Sequence, residues 1–478
     1  MQRPLFFHNT LSNTKEQFTP LRDDGVRMYS CGPTVYDRAH IGNMRSYIMS
    51  DMIRRTLEYN DYIVKQVINI TDVGHLVSDE DDGEDKLEKA ANESGESAQA
   101  IAEKYTNLFF KDLVRLNVQT EGTQFPKATD YVAEQIAMIQ TLTESGHAYR
   151  ITDGVYFDTS VFKNYGQLGG VDTKTLEAGV RVKKNEEKRN PADFALWKCS
   201  PEGVRRQQEW KSPWCVGFPG WHIECSAMSR ALLGRQLDIH SGGIDHIPVH
   251  HNNEIAQSES VNKKQFVQYW MHNNFITVEG RRMGKSQGNL ITLDHVIDRG
   301  YAPLSYRYWL LTAHYRTPAN FTWEALDGSH TALKKLHKYF IDELGAKDGT
   351  VDVAYQEKFH TFLNDDLDTP KAIALMWELV KDDRVFAEDK RATLLEMSKV
   401  LGLGLAASDT SLTQLLTGNA KKIEIAHAPE KIQELVAERE EARAQKNFDH
   451  ADDLRQAILD AGYEITDGAD GPSVERLS

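Results

Sequence analysis

Residues 26–43 read VRMYSCGPTVYDRAHIGN, and their order decides the fold class. Val26-Arg27-Met28-Tyr29-Ser30 is an extended, largely apolar run that leads into Cys31. Gly32 and Pro33 break the strand, and His40-Ile41-Gly42-Asn43 opens a helix. In NMRSYIMSDMIRRTLEYNDY (43–62), Met44, Tyr47, Ile48, Met52 and Leu57 recur near helical spacing, and YIVKQVINIT (62–71) reads as a second strand. Strand, glycine turn, helix and strand make a βαβ unit, which implies parallel strands joined by a right-handed crossover. Ligands in such sheets lie beyond the carboxyl ends of the strands, where Cys31 and His40 fall. A helix N-terminus presents unpaired N–H groups and the positive end of the helix dipole, so this one suits a phosphate. A cysteine at the mouth of a phosphate site calls for an explanation.

Outward from this unit, the 478 residues allow about three domains of roughly 100–200 residues each. Hydrophobic residues make up 40% and charged residues 27%, the balance of a soluble globular chain. No apolar run approaches the roughly 20 residues of a membrane span. MQRPLFFHNT has no apolar signal core, so the expectation is a cytoplasmic protein. The formal net charge of −15 argues against indiscriminate nucleic-acid binding, but leaves room for a specific RNA met by local basic patches. RVKKNEEKR (181–189) and KKLHK (334–338) are such stretches, read here as ordinary solvated faces. The four cysteines form no CxxC pair, so thiols, metal ligands or buried side chains are expected rather than disulfides.

The acidic tract SDEDDGEDKLEK (78–89) reads as an exposed loop entering a helix over about 85–117. Residues 120–235 mix short strands and turns, with YFDTS (156–160) and DFALWK (193–198) as strand candidates, and look like an insertion into the sheet. QLDIHSGGIDH (236–246) restores a strand followed by glycines. From about residue 302 the apolar stripes are helical. Residues 405–428 lack a stripe and read as a linker, and the tail reads as a helix pair with a short strand. In that tail Phe448, Ala451, Leu454 and Ile458 fall on one face.

Three short motifs carry chemistry. The first is His40-Ile41-Gly42-Asn43, where Gly42 lets a nucleotide approach the backbone. The second is Arg282-Met283-Gly284-Lys285-Ser286, whose lysine can meet charge growing on a pyrophosphate. The third is Gly242-Gly243-Ile244-Asp245, whose carboxylate can hold a ribose hydroxyl.

Taken together, CGPTVYDRAHIGN, NITDV, GWHIECSAMS, HHNNEIAQS and RMGKSQGN resemble the cysteinyl branch of the class I aminoacyl-tRNA synthetases, with their HIGH-like and KMSKS-like motifs. Asn43 stands where HIGH has its second histidine, and Gly284 where KMSKS has its first serine. The resemblance implies a Rossmann-type doubly wound parallel sheet carrying an inserted connective domain. A helical bundle and a small C-terminal α/β domain would follow. Its boundaries would be 1–120 and 236–300 for the two halves of the catalytic domain, with 121–235 inserted. Residues 301–405 would form the stem-contact region and bundle, 406–428 a linker, and 429–478 the anticodon-binding domain.

The same resemblance implies one Zn2+ held by Cys31, Cys225, His250 and Glu254. It places Gly32, Thr71 and Trp221 around substrate cysteine, and His40, Gly42, Asn43, Gly243, Asp245 and Lys285 around ATP with its Mg2+. His40, Lys285 and Ser286 would be catalytic. Of the metal set, only His250 and Glu254 are locally suggestive, at i and i+4. A metal at this place accounts for the cysteine at the phosphate site, because a thiol and a hydroxyl differ too little in shape for a pocket to separate them. The implied partners are tRNA(Cys), L-cysteine and ATP, with no membrane, and the implied assembly is a monomer. Cys199 and Cys215 match no ligand position and read as structural or incidental thiols. The competing reading, a ligase that joins activated cysteine to an amino sugar, keeps the same core but needs no long helical domain or tail.

Overall fold

A computed structural model describes residues 3–73, 86–171, 186–201, 203, 206–284, 287–406, 422–423, 429–445, 447–461, 463–468 and 471–476. The opening stretch forms strand β1 (Val26–Ser30) and helix α1 (Ile41–Tyr59), and the chain returns as β2 (Val64–Ile68). The short β3 (Thr123–Gln124), β4 (Leu237–Gly243) and β5 (Val267–Asn273) complete a five-stranded sheet. The strand order is β5-β4-β1-β2-β3 and every neighbouring pair is parallel.

Alternation along the strands sorts their side chains between two cores. Val26 and Met28 of β1 face one side, where they join Met49, Met52 and Ile53 of α1. Tyr29 and Val67 face the other side, against Cys225 and Met228 of α2 (Trp221–Leu233) and Ile255 of α3 (Asn252–Asn262). Helices on both faces make the sheet doubly wound.

Between β3 and β4 the chain builds a second sheet, antiparallel throughout. It is formed by Ala148–Ile151, Gly154–Phe157, Phe194–Cys199, Val216–Pro219 and Trp210–Lys211 in that spatial order. Here the expectation of unpaired thiols fails. Cys199 ends one strand and Cys215 immediately precedes its antiparallel neighbour, and the two form a disulfide. Sequence spacing could not show this, because the pairing of the strands brings the two sulfurs together.

Beyond the parallel sheet come the helices Pro303–Leu311, Trp323–Asp342, Val353–Asn364, Thr369–Lys381 and Ala387–Leu401. Their apolar stripes share one core with the sheet: Leu336, Phe359, Met376 and Leu394 cluster with Met28 and Ile239. One buried cation ties this junction together. Arg307 pairs with Asp51 of α1 (Nη2 to Oδ2, 2.5 Å) and donates to the carbonyls of Leu401, Leu116 and Asn117. Lys334, Lys335 and Lys338 of the KKLHK stretch are exposed on the helix Trp323–Asp342, whereas His337 is buried within it.

The expected helix over 85–117 is two, Lys86–Ser94 and Ala98–Arg115, with Ser97 capping the second. Most of the acidic tract, residues 181–185 and most of the linker candidate lie outside the described residues. In the tail, helices Glu430–Ala444 and Phe448–Asp460 pack on the hairpin Tyr463–Gly468/Gly471–Arg476 around Ile432, Val436, Ile458, Ile465 and Val474. Ala451, Leu454 and Ile458 are buried as their spacing implies, but Phe448 is 62% exposed. It is the first residue of its helix. No described helix is long and apolar enough to cross a membrane.

Candidate active site and metal centre

Four chain segments converge beyond the carboxyl end of β1. Cys31 follows that strand directly, and Cys225 sits in the second turn of α2. His250 lies in a π-helical turn, Ile247–His251, which runs into α3, and Glu254 lies in the first turn of that helix. A π turn widens the helix locally and is a frequent mark of a functional site. Gln257 of α3 locks the two helices together, donating to the His222 carbonyl (2.9 Å) and to Ser226 Oγ (3.1 Å) of α2. Cys225, His250 and Glu254 are buried and Cys31 is half-buried.

One ligand atom from each of Cys31, Cys225, His250 and Glu254 lies within 4.8 Å of all the others. His250 Nε2 is 3.1 Å from Glu254 Oε1, and Cys31 Sγ is 3.9 Å from the same oxygen. Tetrahedral bonds of about 2.0–2.3 Å would set donor separations of about 3.3–3.8 Å, so these four donors could close on an ion with little movement. The set shares Cys31 and Glu254 with a second group that includes His240 and His251. In that group His240 donates to Glu254 Oε2 (3.1 Å), and His251 Nδ1 is paired with His272 Nε2 (2.7 Å). His240 thereby orients the carboxylate, and His251 Nε2 lies 3.3 Å from Cys31 Sγ.

The charge states follow from the burial. The Cys31 hydrogen bond pulls Cys225 down to about 7 against burial, whereas burial and the Cys225 contact push Cys31 well up. Burial alone would neutralise His250 and Glu254. Their contacts outweigh it, raising His250 to about 10 and lowering Glu254 to about 2. Two thiols, a carboxylate and an imidazole that would give up its proton on binding make a donor set suited to a borderline-soft cation.

The pocket around this group is built on Asn69, which follows β2. Its Oδ1 accepts from Gly32 N (2.8 Å) and its Nδ2 donates to Thr71 Oγ1 (3.0 Å), which in turn donates to Glu224 Oε2 (3.0 Å). Trp221 opens α2 and its ring centroid is 4.7 Å from that of His250.

At the helix N-terminus His40 and Asn43 cap each other. His40 Nδ1 accepts from Asn43 N (3.2 Å) while Asn43 Oδ1 accepts from His40 N (3.0 Å), a reciprocal capping box. The proton of the neutral ring is therefore on Nε2, and burial lowers the pKa so that the ring stays neutral. Asn43 Oδ1 is occupied by the cap, so an ATP contact from Asn43 would come from Nδ2. Gly42 has no side chain where Met283 packs: a Cβ there would meet the Met283 methyl at 3.1 Å and the His40 ring at 2.9 Å. Ile41 N donates to Ile291 O (2.8 Å), so the segments bearing the two signature motifs touch. Gly243 ends β4 with Asp245 in the following turn.

Residues 17–331 match the family model for the class I (C) tRNA synthetase catalytic domain, and residues 358–406 match the DALR domain. The chain is 47% identical over 470 residues to cysteine--tRNA ligase 1 of Burkholderia lata, covering 98% of this chain and 96% of that one. It is 40% identical over 497 residues to cysteine--tRNA ligase of Treponema denticola, covering 99% and 100%. The chain belongs to the cysteine–tRNA ligase family. Among solved structures, a methionyl-tRNA synthetase of Mycobacterium tuberculosis in complex with methionyl-adenylate aligns with a TM-score of 0.52 at 15% identity, over 84% of this chain and 94% of that one. The LeuRS of Agrobacterium radiobacter aligns with a TM-score of 0.58 at 11% identity, over 84% and 87%. At such identities these two show the shared class I fold alone.

For a member of the cysteine–tRNA ligase family, the structure brings Cys31, Cys225, His250 and Glu254 into one group, with Gly32, Thr71 and Trp221 beside it. His40, Gly42 and Asn43 lie at the head of α1. Lys285 and Ser286 lie outside the described residues, although Gly284 N is fastened to Asn289 Oδ1 (3.0 Å) at the base of their loop. Asn69, Glu224 and the histidines 240, 251 and 272 were not picked out from the sequence. Asn69 and Glu224 sit inside NITDV and GWHIECSAMS, so their positions were visible. Their hydrogen bonds, between segments distant in the chain, were not.

Proposed function

We propose that this chain activates L-cysteine with ATP and transfers the cysteinyl group to the 3′-terminal adenosine of tRNA(Cys). The observation that carries the reading is the buried Cys31–Cys225–His250–Glu254 group at the carboxyl end of a doubly wound sheet, whose first strand leads through Cys31 to the capped N-terminus of α1. The cysteine carboxylate attacks the α-phosphorus of ATP and pyrophosphate leaves. A ribose hydroxyl of the tRNA then attacks the activated carbonyl and AMP leaves.

The protein supplies position and charge more than covalent chemistry. His40 Nε2–H would donate to the ATP phosphates, alongside the positive end of the α1 dipole. Gly243 and Asp245 receive the ribose, and Lys285 with Ser286 neutralises the departing pyrophosphate, accompanied by Mg2+. Gly32, Thr71 and Trp221 hold the amino acid against the metal group. The two-thiol, imidazole and carboxylate donors fit zinc, whose coordination would expand to admit a substrate ligand and would prefer thiolate sulfur to a hydroxyl. Selectivity against serine then needs no separate hydrolytic site. The full-length match to cysteine–tRNA ligases, which extends through the helical region and tail, supports tRNA over an amino sugar as acceptor. In this reading the protein is a cytoplasmic monomer, and residues 429–478 meet the anticodon.

The test is aminoacylation of purified tRNA(Cys) with labelled cysteine, with metal analysis of the same preparation. Charging with about one zinc per chain is expected. Charging of serine at a comparable rate, or transfer of activated cysteine to an amino sugar instead of tRNA, refutes the reading.

A further inference from the structure

We propose that Cys199 and Cys215 form a reversible redox site that fastens a strap of the inserted sheet against the amino-acid pocket and so sets the affinity for cysteine. The two sulfurs are separate from the metal group, whose cysteines Cys31 and Cys225 are unpaired thiols. Both members of the pair are half-buried, so a small thiol can reach them. They stand at the base of a connection between neighbouring antiparallel strands, with Gly217 opposite Cys199 and Ser200 N donating to Val216 O (2.9 Å).

The described part of that connection docks on the catalytic domain. Gln208 Nε2 donates to the Asp72 carbonyl (2.8 Å), one residue from Thr71 in the pocket wall. Gln207 accepts from Ala98 N (2.7 Å) and donates through its own N–H to Glu88 Oε1 (2.7 Å). The guanidinium of Arg206 lies 3.9 Å from the Phe218 ring centroid. At its other end the connection continues through Val216–Pro219 and Gly220 into Trp221. The closed loop therefore meets the pocket wall at Gln208, and the strand that follows it leads into Trp221. A cross-link at the base limits the conformations open to 206–214 and favours the docked one.

Opening is thiol–disulfide exchange. The thiolate of a low-molecular-weight thiol attacks one sulfur, forms a mixed disulfide and releases the other cysteine as thiolate. A second thiol displaces the mixed disulfide. Two electrons and two protons pass to the pair, and the two small thiols leave joined as their own disulfide.

The chemical test uses full-length, zinc-loaded protein in graded reduced and oxidised glutathione, followed by alkylation and peptide mapping. A 199–215 linkage that opens in one two-electron step, with Cys31, Cys225 and bound zinc unchanged, is expected. Free Cys199 and Cys215 thiols in the most oxidised buffer overturn the proposal. Hydrogen exchange then reads the strap: residues 206–215 should exchange faster in the reduced protein and in C199S/C215S, while α1 is unaffected. Equal exchange in the two states overturns the proposal even if the linkage forms.

The functional arm rests on the proposed activity. In cysteine-dependent ATP–pyrophosphate exchange, the KM for cysteine should rise about fivefold in the open state with kcat within about twofold. An unchanged KM overturns the coupling to the pocket. Absence of cysteine-dependent exchange in both states, with the strap still responding, instead counts against the proposed activity and leaves the redox site standing.

Discussion

Replacing Gly32 with alanine tests how the pocket is held. Gly32 is not among the residues with positive φ, so alanine meets no backbone strain there. The obstacle is space. A Cβ at this position would stand 1.4 Å from the Asn69 carbonyl oxygen, where real contacts are not found below 3.0 Å. The turn after β1 and the end of β2 must therefore separate by about 1.6 Å. The separation breaks the Gly32 N–H bond to Asn69 Oδ1 and displaces Asn69 from Thr71. Overpacking costs about 1–3 kcal/mol, and each of the two lost hydrogen bonds about 1 kcal/mol. We therefore expect Gly32→Ala to lose about 3–5 kcal/mol of unfolding free energy in urea. Because Cys31 is the adjacent residue, chelator competition should show a zinc affinity lower by about 10–100-fold, as when a supporting contact of a metal ligand is lost. A variant whose urea midpoint matches wild type, and whose zinc affinity and KM for cysteine lie within about twofold of it, would show that Asn69 does not position this wall.

Lys285→Ala should slow adenylate formation by about 100-fold or more, the scale of one preorganised transition-state donor. Zinc content should be unchanged, and near wild-type pyrophosphate exchange would remove Lys285 from the reaction. Arg307→Met leaves the buried Asp51 carboxylate with Arg55 (2.7 Å) and the Gln119 N–H (2.8 Å), and should cost about 3–5 kcal/mol in urea unfolding. Adding Asp51→Asn to that variant should restore part of the loss; additive losses would deny the pairing. His337 is buried and hydrogen-bonded to the Leu403 carbonyl, and burial pushes it down to about 4. Above about pH 6.5 the ring is neutral in both folded and unfolded chains and contributes no pH dependence. As the pH falls from about 6.5 to 4 the unfolded chain takes a proton that the fold refuses, so stability drops by about 2 kcal/mol at pH 5. His337→Gln should flatten that part of the stability–pH profile, and an unaltered slope would refute the assignment.

Much of the frame was legible because its causes are local. The apolar runs of 26–30 and 62–71, the glycine break and the stripe of α1 describe a βαβ unit without reference to any distant residue. The stripes after 302 describe helices for the same reason. Even the head of α1 was partly written in the order His40-Ile41-Gly42-Asn43, whose first and last members cap one another across a single turn. The helix break at 95–97 is not legible because the flanking segments are both strong helix formers, nor is the exposure of Phe448, because periodicity says which face a residue shares but not what covers it.

The amino-acid order by itself determined the element types, the parallel class of the sheet, the signature motifs and, through family resemblance, the donor set. Tertiary structure alone decided that Cys31 and Cys225 meet, that Asn69 carries the pocket wall, that Arg307 closes the junction with the helices, and that Cys199 finds Cys215. The physical reason is range. Backbone preference and apolar periodicity act over a few residues, whereas these contacts form only after the sheet and its helices have packed and have borne the entropy of bringing distant segments together.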